Sequence, residues 1–114
     1  MPMQKITISA AEGTWVVRAA GAVLGESRRA LELHEENHAP VIYFPREDIG
    51  MAFLVPSDKV TTCPHKGEAR HFTIAAKSGP IPDAAWSYET PHEQVARIAG
   101  HIALYPDKAT VERI

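Results

Sequence analysis

The sequence contains very little cysteine: Cys63 is the one cysteine among 114 residues. A single thiol cannot form an intramolecular disulfide, and it cannot supply the paired Cys-x-x-Cys ligands of a structural zinc site. We therefore expect a fold that is held together by a packed hydrophobic core.

An excess of positive charge is also lacking, since the sequence has 12 lysine and arginine residues against 14 aspartate and glutamate residues, which gives a net charge of -2. Proteins that bind phosphate backbones without sequence preference carry a broad basic field, so nucleic-acid binding is disfavoured. No apolar run approaches the length of a membrane span, and the start Met1–Thr7 lacks the features of a secretory signal. We expect a cytoplasmic protein with no membrane partner.

The chain has the composition of an ordinary globular protein, with 45% hydrophobic and 23% charged residues. Its length suits a single domain over residues 1–114. Short β-branched stretches predict a series of strands. Lys5–Ser9 and Thr14–Ala19, separated by Ala11-Glu12-Gly13, are typical of an N-terminal hairpin. Val41–Phe44 is apolar at every position, which predicts a strand that is covered on both faces.

One helix is well signalled near residues 91–99. Thr90 is a suitable N-cap, Pro91 suits the first helical position, and Glu93 can complete a capping box. Gly100 fits as the stop. The sequence therefore predicts a mostly β fold of short antiparallel strands with one accessory α-helix.

The segment Cys63-Pro64-His65-Lys66-Gly67 gathers residue types that carry chemistry. In an extended chain Cys63 and His65 point to the same face, and a nearby histidine and lysine favour the nucleophilic thiolate. A lone cysteine is most often a small buried hydrophobe, so the structural interpretation stays open. Cys63, His65 and His71 are also zinc-ligand types, but scattered histidines are more often solvated or hydrogen-bonded, and we predict no metal site.

Two further patterns supply candidate site residues. A two-residue period from Ser27 onwards places Glu35 beyond the core-facing Leu31 and Leu33, where it either turns to solvent or faces a pocket. Trp86 and Tyr88 share one face of a predicted strand, and they either pack a core or form the wall of a ligand pocket.

Three motifs occur in order along the chain: Tyr43-Phe44-Pro45-Arg46-Glu47-Asp48, Cys63-Pro64-His65-Lys66-Gly67-Glu68-Ala69 and Ala85-Trp86-Ser87-Tyr88-Glu89-Thr90-Pro91. Together with Ser27-Arg28-Arg29-Ala30 and Glu35, they resemble the bacterial and fungal family known as domain of unknown function 427. The likeness covers roughly residues 15–105. This sequence has His65 where many members carry tyrosine.

The resemblance implies a compact Mss4-like, or β-tent, fold in which sheets meet around a central cleft. Relatives of that broad fold hold zinc through Cys-x-x-Cys pairs, which this chain lacks. The family is sometimes labelled nucleotidyltransferase-like, although the sequence has neither a paired-aspartate metal site nor a glycine-rich phosphate loop.

Three hypotheses about function follow. In the first, the protein binds a small polar ligand in a cleft lined by Tyr43–Asp48, Cys63–Gly67 and Trp86–Tyr88. The second is an enzyme of group-transfer or hydrolytic type with Cys63 as nucleophile. The third is an interaction module without catalysis, which docks a partner or a second copy of the chain. The second case would give a homo-oligomer. We predict no cofactor. The candidate ligand-binding residues are Arg29, Tyr43, Asp48, His65, Trp86 and Tyr88, and the candidate catalytic residues are Cys63, Lys66 and Glu35.

Overall fold

The computed structural model describes residues 5–114, so the start of the chain, where we expected no secretory signal, lies partly outside the described range. Within that range the secondary structure consists of ten strands and three short 3₁₀ helices. The strands are β1 Ile6–Ala10, β2 Trp15–Ala19, β3 Ala22–Ser27, β4 Leu31–Glu35, β5 Val41–Tyr43, β6 Leu54–Cys63, β7 Gly67–Ala76, β8 Gly79–Tyr88, β9 Ala103–Leu104 and β10 Thr110–Arg113. The 3₁₀ helices are Arg46–Asp48, Met51–Phe53 and Glu93–Ile98. The prediction of a mostly β fold is confirmed.

The strands form three antiparallel sheets. A first sheet has the strand order β1-β4-β5, and a second sheet has the order β10-β2-β3. The third, which we call the central sheet, has the order β6-β7-β8-β9. Its strands β6, β7 and β8 are each ten residues long and follow one another as a meander, so this sheet forms the scaffold on which the other two pack.

Two hydrophobic cores cover opposite faces of the central sheet. One core joins it to the second sheet and contains Val17, Leu24 and Phe72. The other joins it to the first sheet and contains Leu33 and Ala69. Because successive side chains of a strand point to opposite faces, each long strand of the central sheet contributes to both cores.

The same alternation explains the apolar run at residues 41–44. Val41 and Tyr43 pack in the core beneath the first sheet, whereas Ile42 and Phe44 pack in the other core. Phe44 continues beyond β5 as a bridge to Ile102, with backbone hydrogen bonds in both directions. This confirms the prediction of a strand that is covered on both faces.

The predicted N-terminal hairpin is wrong. β1 pairs with β4, with Ile6 opposite Glu35, whereas β2 pairs with β3 and β10. Ala11 is buried, and its N–H donates to the carbonyl oxygen of Ala30 at 2.9 Å. Gly13, with a φ of 90°, then turns the chain towards the second sheet. The segment therefore connects two sheets instead of two neighbouring strands.

A helix is present near residues 91–99, but it is the 3₁₀ helix Glu93–Ile98 and not an α-helix. Its N-cap is His92 instead of Thr90, with no side-chain capping bond, and Val95 has a non-helical φ of -122°. A helix with three residues per turn places Val95 and Ile98 on one face, and both are fully buried. The non-helical backbone of Val95 interrupts the helix, so its turns close over three residues, from the N–H of Val95 to the carbonyl oxygen of His92 and from that of Ala99 to that of Ala96. No helix within residues 5–114 is long and apolar enough to cross a membrane.

Candidate functional site

A lysine and a glutamate from different sheets form a buried ion pair. Lys66 lies in the turn between β6 and β7, and Glu35 is the last residue of β4. Lys66 Nζ lies 2.7 Å from Glu35 Oε1, and the two side chains are only 11% and 12% exposed. Removing two charges from water costs free energy that only close pairing and further hydrogen bonds offset. A pair of this kind is weak evidence for stability, so its position near a cavity makes it a candidate functional feature.

The turn after β6 holds Lys66 in place. Its N–H donates to the carbonyl oxygen of Cys63 at 3.3 Å, and its own carbonyl oxygen accepts from the N–H of His92 at 2.9 Å. Gly67 then begins β7 with a φ of 114°, a conformation that residues with a Cβ atom rarely adopt. The glycine therefore lets the chain reverse directly after the lysine, and the turn presents the ammonium group to Glu35.

The ion pair borders a cavity of about 180 Å³ between the first sheet and the central sheet. Four aromatic side chains line this cavity: Tyr43, Trp86, Tyr88 and Tyr105. Trp86 Nε1 donates to Tyr43 Oη at 3.3 Å, and these two rings meet edge to face with their centroids 6.2 Å apart. The Tyr105 ring lies 4.5 Å from the Trp86 ring at an angle of 42°. The aromatic groups thus form a continuous wall.

Small apolar and hydroxyl side chains complete the cavity. Leu33, Val41 and Ala69 contribute apolar surface. Thr61 also lines the cavity, but it is exposed, and it lies opposite Ala69 in the pairing of β6 with β7. The cavity therefore reaches solvent beside the edge strand β6.

Burial disfavours ionisation of two cavity tyrosines. It raises the pKa of Tyr43 well above its ordinary value of 10 and raises the pKa of Tyr88 to about 12. The Tyr88 hydroxyl has no hydrogen-bond partner among residues 5–114, and the Tyr43 hydroxyl, which accepts from Trp86, has no acceptor for its own proton there. Two phenolic O–H donors are thus available to a molecule in the cavity.

A buried histidine supports Tyr105 from behind. His71 is 1% exposed, and its Nε2 lies 3.0 Å from Tyr105 Oη. The two rings stack with centroids 6.0 Å apart and planes 18° apart. Burial, followed by the charge of Lys59, lowers the pKa of His71, so the neutral imidazole is favoured. This contact fixes the orientation of the Tyr105 ring against Trp86.

Five of the nine predicted site residues line the cavity: Glu35, Tyr43, Lys66, Trp86 and Tyr88. They come from β4, β5, the turn after β6 and the end of β8. These segments are distant in sequence, and they meet because the first sheet covers one face of the central sheet. Each of the three predicted cleft segments contributes at least one residue.

Arg29 and Asp48 do not line this cavity. Ser27 Oγ donates to Asp48 Oδ2 at 2.6 Å and accepts from the N–H of Arg29 at 2.9 Å, while Arg29 Nη2 lies 3.2 Å from Asp48 Oδ1. The hydrogen bond from Ser27, together with pairing to Arg29, outweighs burial and holds the pKa of Asp48 below its ordinary value. This cluster connects the end of β3 to the first 3₁₀ helix, away from the cavity.

A third group of motif residues connects other parts of the fold. Arg46 Nη1 lies 3.0 Å from both carboxylate oxygens of Glu89 and donates to the carbonyl oxygen of Gly100 at 3.2 Å. Ser87 donates to the same carboxylate, and the guanidinium lies 5.6 Å from the centre of the Phe72 ring. These contacts join the segment after β5 to the ends of β8 and of the third 3₁₀ helix.

Cys63 and His65 flank the turn without lining the cavity. Cys63 is half-buried and packs against the core beneath the first sheet. Within the described part of the chain its thiol forms no hydrogen bond with a histidine or a carboxylate. His65 is half-buried, and its carbonyl oxygen accepts from Gln94 Nε2 at 2.9 Å. Residues 5–114 also contain no group of three or more histidine, cysteine, aspartate or glutamate side chains that could hold a metal ion.

Sequence reasoning missed Tyr105 and Thr61. Tyr105 follows the two-residue strand β9, and only the pairing of Ala103 with Trp86 brings it to the aromatic wall. No local motif marks this position. Thr61 had a usable signal, because the two-residue period of a strand places it on the same face as Cys63.

These features define a small antiparallel β protein whose cavity combines a buried lysine–glutamate pair with an aromatic wall. The chain belongs to the family described as Domain of unknown function (DUF427), which matches residues 7–114. This match confirms the resemblance seen in the sequence and extends it beyond residues 15–105 at both ends. A search of curated proteins found no significant match. The Mss4-like subtype of the fold stays a prediction.

Proposed function

We propose that this protein is a small-ligand-binding domain and that the cavity beside Lys66 and Glu35 binds a small polar molecule. The observation that carries the proposal is the buried ion pair at a cavity with two phenolic O–H groups whose protons have no acceptor among residues 5–114. Stability alone does not account for it, since replacing a buried pair by apolar residues is often neutral or stabilising. Sites where a protein departs from the most stable choice are typically functional.

The composition of the cavity supports this proposal. Apolar and aromatic walls with a few precisely placed polar groups are typical of ligand sites. The volume of about 180 Å³ is smaller than the roughly 300–1,000 Å³ of sites for drug-sized molecules. The ligand is therefore a small molecule instead of a peptide or a large cofactor.

Thermal denaturation with a library of small polar molecules tests the proposal. A ligand at one hundred times its dissociation constant stabilises the folded state by about 2.7 kcal/mol, which is readily detected as a rise in melting temperature. Thr61→Phe should obstruct the cavity at its exposed rim and abolish this rise. Thr62→Phe is the matched control, because Thr62 is an exposed neighbour on the opposite face of β6 and does not line the cavity.

Two results would contradict the proposal. One is the absence of any stabilising molecule in a broad library. The other is a ligand whose effect survives unchanged in Thr61→Phe, since such a ligand binds elsewhere.

A second candidate function rests on the edge strand β6. Val55 and Val60 are 50% and 48% exposed on this strand, which pairs only with β7 within the described residues. An unpaired strand edge with exposed apolar residues is a template for pairing with another chain. We propose, as the alternative, self-association into a homo-oligomer through β6. Light scattering should then give an oligomeric mass that Val60→Lys reduces, and a monomeric wild type would exclude this function.

A further inference from the structure

The charge balance of the cavity limits the charge of its occupant. Lys66 and Glu35 are the only charged residues that line it within residues 5–114, and they neutralise each other at 2.7 Å. A charged ligand would leave one charge uncompensated beside two side chains that are almost nine-tenths buried. Uncompensated charge in such a place is costly, so the site favours an uncharged molecule.

The unused hydrogen-bonding groups define what that molecule offers. The hydroxyls of Tyr43 and Tyr88 each have a proton without an acceptor in the described part of the chain, and the Lys66 ammonium group donates only to Glu35 Oε1 there. The second carboxylate oxygen of Glu35 accepts no hydrogen bond from those residues. The cavity therefore presents several donors and one strong acceptor, which complement a carbonyl oxygen next to an N–H group.

The shape of the cavity adds a third requirement. Trp86 lies between Tyr43, which meets it edge to face, and Tyr105, which is tilted against it. Aromatic rings favour stacked or edge-to-face partners, so this wall suits a flat ligand. A volume of about 180 Å³ has room for little more than one ring with its substituents.

We propose that the cavity binds a small uncharged aromatic ring that carries an amide group, with the carbonyl oxygen accepting from Tyr88 and the N–H donating to Glu35. This inference rests on the proposed function and specifies the ligand class of the same site. Charge, hydrogen bonding and shape each favour that class on separate grounds.

Tryptophan fluorescence provides a direct reporter. The sequence contains two tryptophans, and Trp15 lies on β2 outside the cavity, where its Nε1 donates to the carbonyl oxygen of Glu12. In Trp15→Phe the emission comes from Trp86 alone. Uracil and nicotinamide serve as probes. Each has a charged analogue, its charged twin, with a carboxylate on the same ring: orotate for uracil and nicotinate for nicotinamide.

We expect uracil or nicotinamide to change Trp86 emission saturably, and the charged twin to bind about tenfold more weakly or worse. Tyr88→Phe, which removes one hydroxyl and keeps the ring, should weaken the neutral probe about three- to tenfold, as expected for the loss of one hydrogen bond. Circular dichroism checks that this variant is folded. Thr61→Phe should abolish binding independently of Tyr88, and Thr62→Phe should not change it.

The outcomes separate this inference from the proposed function. If orotate or nicotinate binds as tightly as its neutral twin, or if Tyr88→Phe binds the neutral probe like wild type, the ligand class is wrong. The ligand class is also wrong if neither neutral probe binds while the library yields another ligand that Thr61→Phe excludes. In that case the proposed ligand-binding function is still supported. If no molecule affects Trp86 or the melting temperature, both proposals fail.

Discussion

Arg46 Nη1 lies 3.0 Å from each carboxylate oxygen of Glu89, although 43 positions separate the two residues along the chain. Ser87, which is fully buried, donates to the same carboxylate. Burial acts to raise the pKa of Glu89, but the hydrogen bond from Ser87 and the pairing with Arg46 together outweigh it and hold the pKa below its ordinary value of 4.5. The ionised carboxylate therefore fastens the end of β8 to the segment after β5.

Glu89→Gln should destabilise the protein by about 1–2 kcal/mol at neutral pH, because it weakens charge-assisted hydrogen bonds to Arg46 and Ser87. A lowered pKa in the folded state means that the contribution is fully present above pH 4.5 and is lost as the pH falls through the folded value. Urea denaturation at neutral and acidic pH should show the difference between variant and wild type shrinking in acid. A difference that is independent of pH would contradict this account.

The control for this experiment is Glu68→Gln, at an exposed position of β7 with no hydrogen bond to its side chain from residues 5–114. Surface substitutions away from specific contacts usually change stability by less than about 0.5 kcal/mol. The two variants lose the same charge, so any larger effect at residue 89 comes from its contacts.

Ser27→Ala should destabilise the protein by about 1–2 kcal/mol and leave ligand binding in the cavity unchanged. The substitution removes the donor to Asp48 and leaves the N–H of Arg29 without its acceptor. Urea denaturation measures the first effect, and titration of Trp86 emission measures the second. Ser78→Ala, at an exposed turn position, is the control. A loss of ligand affinity in Ser27→Ala would instead place Asp48 and Arg29 in the binding site, as the sequence motifs alone indicated.

The parts of the fold that depend on local alternation could be predicted. The apolar run Val41–Phe44 indicated a strand covered on both faces, and it lies between the two cores. The two-residue period likewise places Ala69 and Phe72 of β7 on opposite faces, and these residues pack in different cores. In both cases the side-chain direction follows from the strand itself and needs no knowledge of its partners.

The pairing of strands could not be predicted in the same way. The chain does turn at Ala11-Glu12-Gly13, but a turn alone does not determine which strand the following segment pairs with. Burial of Ala11 and its hydrogen bond to Ala30 decide the outcome, and both depend on a sheet formed by residues further along the chain. The helix shows the same limit, because the capping residues indicated an α-helix, whereas the chain forms a 3₁₀ helix with a non-helical Val95 and with its start at His92, whose N–H donates to the carbonyl oxygen of the distant Lys66.

For the candidate site, the sequence motifs identified many of the residues but not which of them lie close together in the structure. Glu35, Lys66 and Trp86 were all named, but nothing local indicated that the carboxylate and the ammonium group pair across two sheets. Arg29 and Asp48 were assigned to the same cleft because polar motif residues look alike in a sequence, whether they bind a ligand or connect two segments. Only the distances separate these two uses.

Alkaline titration of the phenols tests the burial of the cavity wall. The sequence has three tyrosines, all of them line the cavity, and burial is the largest cause that raises the pKa of each one. A raised pKa contributes stability that is fully present below pH 10 and is lost as the pH rises through the folded values, which for Tyr88 is about 12. Phenolate absorbance of the folded protein should therefore rise later than that of the urea-unfolded chain. A phenol that titrates at pH 10 while the circular dichroism spectrum is still native would show that the wall is open to water.

A double-mutant cycle on Lys66 and Glu35 tests whether the pair is retained for a reason other than stability. Lys66→Met and Glu35→Leu should each destabilise the protein by about 3–5 kcal/mol, because each leaves a buried charge without its partner, and the double variant should recover most of that loss. The exposed pair Arg18–Glu112, at 3.1 Å with side chains 51% and 42% exposed, is the matched control and should show a coupling of only about 0–1 kcal/mol. Urea denaturation measures all four corners of each cycle. If the double variant is as stable as wild type but no longer binds the cavity ligand, the two charges serve binding and not folding. If the single variants at the buried pair destabilise the protein no more than those at the surface pair, water reaches Lys66 and Glu35. The site would then no longer favour an uncharged ligand.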